Sequence, residues 1–127
     1  MTKNRIYISF AIEDLSLRDF LVEQVKNNDS PFVLIDMVAK KLWDRTWKID
    51  CRKRIKRCEG MIIIFTKNTM ISEGQIWEIN CAREEFIPIL GIYGSTDDRP
   101  FCFPKELDGV RVVSWTWDNI NQWIDAL

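Results

Sequence analysis

Five apolar residues in a row, Met61-Ile62-Ile63-Ile64-Phe65, constrain the fold of this chain more than any other feature. A strand exposes alternate residues to opposite faces, so an unbroken apolar run must be covered on both sides. That is the situation of a central strand in a parallel sheet. The neighbouring segments fit the same scheme. RIYISF (5–10), FVLID (32–36), FIPILGIYG (86–94) and VRVVSW (110–115) read as further strands, with Pro88 placing the start of the fourth near an edge or bend. Between them lie helical spacings. Leu17, Phe20, Leu21 and Val25 mark a helix over 13–26, and Trp47, Cys51, Ile55 and Cys58 mark one over 46–58. Residues 72–84 form a third helix with Ser72 as N-cap and apolar Ile76, Ile79, Cys81 and Ala82. The fourth closes the chain, with Asp118 able to cap it and Ile120, Trp123, Ile124 and Leu127 facing in. NNDSP (27–31) breaks the first helix, and 37–45 has no period and reads as a loop.

Strands alternating with helices imply an α/β sandwich of three layers, with a five-stranded parallel sheet and right-handed crossovers. The expected strand order is the flavodoxin-like 2-1-3-4-5. At 127 residues the chain is long enough for a single domain, 1–127, with one real core. Ligands in such sheets bind beyond the carboxyl ends of the strands. Here those ends are Ser9–Asp14, Asp36–Arg45, Thr66–Ser72 and Tyr93–Asp98.

Composition removes several kinds of chemistry. There is no histidine, so histidine-dependent triads and His-ligated metal sites are excluded. Carboxylates, hydroxyls, lysines and thiols remain. No glycine-rich phosphate loop is present. A net charge of -1 creates no field that would gather nucleic acid or an anionic membrane. The segment RKRIKR (52–57) can be a nucleic-acid patch or a solvated helix face, and the overall charge favours the latter. The four cysteines form no C-x-x-C pair and are read as reduced. The N-terminus lacks a signal-peptide core and no apolar run approaches a membrane span, so a cytoplasmic location is expected.

Two residues stand out at the strand ends. Trp43 can stack on a flat ring or pack in the core. Glu78 lies between Trp77 and Ile79 and shares a helix face with Gln75, Ala82 and Glu85. It is either a surface carboxylate or one that borders the crevice. In the second case it can accept hydrogen bonds from sugar hydroxyls and stabilise an oxocarbenium ion.

The ordered set "RIYISF", "EDLSLRDFL", "RIKRCEGMIIIFTKNT", "WEINCAREEFIPILGIYG" and "WTWDNINQWI" resembles the bacterial TIR-like domains, and among them the short Thoeris-type proteins of anti-phage defence. The resemblance spans nearly the whole chain. It implies a TIR-like form of the fold and cleavage of the nicotinamide glycosidic bond of NAD+, used as substrate with no cofactor or metal. The product would be ADP-ribose or a cyclic ADP-ribose-type signal that activates a separate effector. Trp77-Glu78-Ile79 matches the family's aromatic-Glu-Ile element, which assigns catalysis to Glu78. Residues at the strand ends, Ser9, Phe10, Asp14, Asp36 and Trp43, together with Trp77, become candidates for substrate binding. Phe10 would face a ring of the substrate, and Asp36 and Trp43 would lie on the loop used for assembly and pocket closure. Four residues before the glutamate the family has Trp, whereas this chain has Gly74, which leaves space where a ring would pack. Aligning that Trp with Trp77 instead would put Cys81 at the acid position. Self-association is the partner the family implies. A non-catalytic assembly module and a nucleoside transferase are the rival readings.

Overall fold

The computed structural model describes residues 4–28, 32–37, 40–95, 100 and 102–127. Five strands, β1 (Asn4–Ser9), β2 (Phe32–Ile35), β3 (Gly60–Phe65), β4 (Ile89–Tyr93) and β5 (Arg111–Val113), form one sheet. Its order is β2-β1-β3-β4-β5, and every pairing is parallel. The helices are α1 (Leu15–Asn27), α2 (Arg45–Lys56), α3 (Glu73–Glu84) and α4 (Trp117–Asp125). The arrangement is flavodoxin-like, as the alternation of segments implies.

Strand alternation divides the interior into two cores. Ile6 and Ile8 of β1 and Ile62 and Ile64 of β3 point to α1 and α4, where Leu21, Val25, Ile120 and Ile124 meet them. Tyr7 of β1 and Met61, Ile63 and Phe65 of β3 point the other way, onto Trp47, Cys51 and Ile55 of α2 and Ile79 of α3. All six residues of β3 are buried, so the apolar run is the covered central strand its composition demands.

Several local expectations need correction. Phe20 shares the apolar spacing of the first helix, yet it is 62% exposed and meets Trp115 edge-on. The fourth strand starts at Ile89, not Phe86. Residues 86–87 close α3 instead: Phe86 takes φ 57°, its N–H donates to the Arg83 carbonyl, and Ile87 N–H donates to the Ala82 carbonyl. This is a Schellman cap built on phenylalanine where glycine is usual. Pro88 precedes β4, which lies inside the sheet, and its carbonyl accepts from Met61 N–H. The cap of α4 is Thr116, whose side chain accepts from Asn119 N–H; Asp118 sits in the first turn. Leu127 is 41% exposed rather than turned inward. Residues 67–71 are more than a turn: they form a short 3-10 helix that Thr66 caps. Ser72 does cap α3.

The basic segment of α2 is a solvated face, apart from buried Ile55. Arg52 pairs with Glu84 and Glu85 and lies over the Trp77 ring, while Arg54 donates to the Asp36 carbonyl. Among the described residues no helix is long and apolar enough to cross a membrane.

Candidate functional site

The site forms where β1 and β3 end beneath α3. In this strand order the chain leaves β1 toward β2 on one side, while β3 flanks β1 on the other. Such a reversal opens the crevice that α/β sheets use for ligands. The alternation of β1 that sends Ile6 and Ile8 to one core sends Tyr7 and Ser9 to the other, under α3. Ser72 starts α3 by accepting from Gln75 N–H, and this sets the rotation of its first turns. Gln75, Glu78 and Ala82, three and four residues apart, are all buried.

Glu78 is therefore no surface carboxylate: it has 0% exposure. Its oxygens are nevertheless well supplied with donors. Tyr7 donates its hydroxyl to Oε2, and Ser9 donates to Oε1 at 3.1 Å. The Lys40 ammonium reaches both oxygens, at 3.1 and 2.9 Å. The Cys51 thiol stands 3.3 Å from the Tyr7 hydroxyl. Burial raises the Glu78 carboxyl above the ordinary carboxylate range, and Lys40 and the hydroxyl donors pull it part of the way back. Burial and the neighbouring Glu78 charge likewise raise Tyr7 and push the Cys51 thiol up to about 12. Tyr7 is thus held as a donor, and Cys51 is not a nucleophile.

Lys40 closes the site from above. Besides Glu78, its ammonium donates to the Met37 carbonyl at 2.7 Å and lies 4.4 Å from the centre of the Phe10 ring. Its stem rests on α3 at Gly74, where an added Cβ would come within 2.8 Å of the Lys40 Cβ. The space that Gly74 leaves is filled by this stem. Gln75 ties the floor together: its amide nitrogen donates to the Ser9 and Ile64 carbonyls, and its Oε1 has no partner among the described residues.

Of the residues singled out in the sequence, Ser9 touches Glu78 and Phe10 faces Lys40 beside it. Asp14 is buried but serves the chain itself, accepting from the Thr66 hydroxyl at 2.5 Å and the Asn68 amide at 2.9 Å. Asp36 is paired with Arg18, through Nε at 2.5 Å, and does not reach Glu78. It borders a separate cavity of about 510 Å³ with Met37, Asp44 and Trp47. Trp77 points away from Glu78. It packs on Trp47 with ring centres 5.5 Å apart and lines a cavity of about 660 Å³ with Leu42, Ile71 and Ile76. Trp43 is 82% exposed, which removes the core reading and leaves it in solvent.

The sequence does not mark Tyr7, Lys40, Cys51 or Gln75 as site residues, although Cys51 and Gln75 lie on helix faces that it does mark. Period two along β1 would have found Tyr7, on the same face as Ser9. Lys40 sits in an aperiodic stretch and carries no such signal. Among the described residues no cluster of three or more His, Cys, Asp or Glu side chains is arranged to hold a metal ion.

No protein-family model matches the chain, and no curated protein matches it. Among solved structures, a 3-dehydroquinate dehydratase-like protein from Bifidobacterium longum aligns over 99% of this chain and 94% of its own. The TM-score is 0.48 and the identity 11%, so the likeness carries no argument about chemistry.

Proposed function

We propose that the chain is a TIR-like, NAD-consuming enzyme in which Glu78 acts on the N-ribosyl bond to nicotinamide. The observation that carries this reading is a fully buried glutamate with hydroxyl donors on both oxygens, on the inner face of α3 at the crevice. Buried carboxylates are costly, and a fold retains one where its charge has work to do. Glu78 would accept hydrogen bonds from the ribose hydroxyls and stabilise the positive charge that develops as the bond stretches. Tyr7 and Ser9 would fix its orientation.

Nicotinamide leaves as a neutral ring, taking the electrons of the C1′–N bond. In hydrolysis, water oxygen bonds to C1′ and its proton passes to solvent, which yields ADP-ribose. In cyclisation, a ring nitrogen or hydroxyl of the same molecule replaces water. A cyclic product of this type would act as a signal to a separate effector in anti-phage defence. The chemistry calls for no histidine and no metal, which suits the composition.

The test is chromatography with mass detection of NAD+ incubated with purified, self-associated protein. Wild type is expected to release nicotinamide, and Glu78→Gln to lower the rate by about 100-fold or more. Equal release by both proteins would remove Glu78 from the mechanism.

One observation favours a second reading, a non-catalytic assembly module. Both Glu78 oxygens are already satisfied within the chain, and none of the side chain is open to solvent. Concentration-dependent self-association with no turnover of NAD+ would support that module.

A further inference from the structure

The ammonium of Lys40 sits in a cage whose parts all select a cation. A carboxylate meets it on one side, through both oxygens of Glu78 at 2.9 and 3.1 Å. The Met37 carbonyl meets it at 2.7 Å, and the face of Phe10 lies 4.4 Å away. A carboxylate, a carbonyl and an aromatic face attract positive charge together, and the aromatic face also suits a flat cationic ring. The lysine is not part of the sheet or of a helix. It comes from the aperiodic connection between β2 and α2, on a flexible four-carbon stem, and its side chain remains 8% exposed. The groove that admits the stem exists because residue 74 has no side chain.

We propose that Lys40 is a built-in competitor for a flat, cationic ring, occupying the subsite such a ring would take beside Glu78, with Gly74 as the opening that lets it lie there. Assigning the ring to an N-ribosylated pyridinium rests on the function proposed above; the competition between Lys40 and a cation does not. Ligand and Lys40 cannot hold the cage together, because each needs the same carboxylate and the same ring face. In the structure the cage is filled, and a ring can enter it only when the Lys40 side chain withdraws. The cage also sets specificity: a cationic pyridinium gains from all three groups, and its neutral counterpart does not.

The experiment is calorimetric titration at pH 8 with two probes, the N1-methylnicotinamide cation and neutral nicotinamide. Wild type is compared with Lys40→Met, which keeps the stem and removes the ammonium. Gly74→Ala is the second variant; it keeps both charges and pushes the stem aside. Both variants are expected to bind the cation at least about tenfold more tightly than wild type, with no gain for nicotinamide. Adding Glu78→Gln to Lys40→Met should abolish the gain.

Equal cation binding by wild type and variants, an equal gain for the neutral probe, or no binding by folded variants would each overturn the proposal. Loss of folding in both variants would show Lys40 to be a structural tie, and would overturn it too. Nicotinamide release from NAD+, followed in parallel, separates the two ideas. Tighter cation binding without release would leave the competition standing and remove the N-ribosyl reading. Measurable and equal release by wild type and Lys40→Met, with no tighter cation binding by the variant, would remove the competition and leave the N-ribosyl reading standing.

Discussion

A buried Lys40–Glu78 pair is an expensive feature for a small protein. Removing either charge leaves the other without its partner, whereas removing both restores an uncharged interior. Lys40→Met is therefore expected to cost about 3–5 kcal/mol at pH 7, and Lys40→Met/Glu78→Gln much less, by urea denaturation. The pH dependence has a definite sign. The Glu78 carboxyl is raised in the folded protein, so the folded state binds its proton more tightly than the unfolded chain does. Its contribution to stability is fully present below the ordinary glutamate range, and it falls as pH rises through the raised folded value. The wild-type curve should thus fall relative to Glu78→Gln over that interval; a difference that grows in the opposite direction would contradict the burial argument. Glu78 and Gln75 also explain why this face of α3 was hard to read. Two polar residues on it imitate a solvated surface, although both are fully buried.

At the scale of elements, caps decide boundaries that periodicity leaves open. The apolar run from Phe86 to Tyr93 suggests a strand throughout, yet its first residues finish α3 in a Schellman cap. A bulky residue in the left-handed region is strained where glycine is not, and Phe86 is 91% exposed, so it gains little by packing. Phe86→Gly should raise stability by about 1 kcal/mol in urea melts. At the start of α4, Thr116→Ala should cost about 1 kcal/mol, because its side chain satisfies the Asn119 N–H. Asp118→Ala should cost only a few tenths, through the helix dipole alone. If Asp118 proved the costlier residue, the cap assignment would be wrong. Ser72, by contrast, was legible as the cap of α3, since a serine before an amphipathic segment has few other uses.

For the molecule as a whole, the sheet separates the thiols from solvent in a way a labelling reagent can read. Cys51, Cys58 and Cys81 are buried, with thiols pushed up to about 12, 12 and 11, while Cys102 is exposed. In native protein at pH 7–8 Ellman's reagent should modify Cys102 rapidly and the other three only after unfolding. Rapid reaction at Cys51 would mean that the Tyr7–Glu78 site opens on that timescale. The order of strands and helices, the parallel sheet and the central place of β3 were determined by the sequence itself, because each rests on local spacing within a few residues. So was the helix that bears Glu78. What surrounds Glu78 was decided only by the tertiary structure. Tyr7, Ser9 and Lys40 reach it across 71, 69 and 38 residues of chain. Contacts between such distant segments leave no period in the sequence, and a lysine in an irregular connection looks the same whether it lies in solvent or over a buried carboxylate.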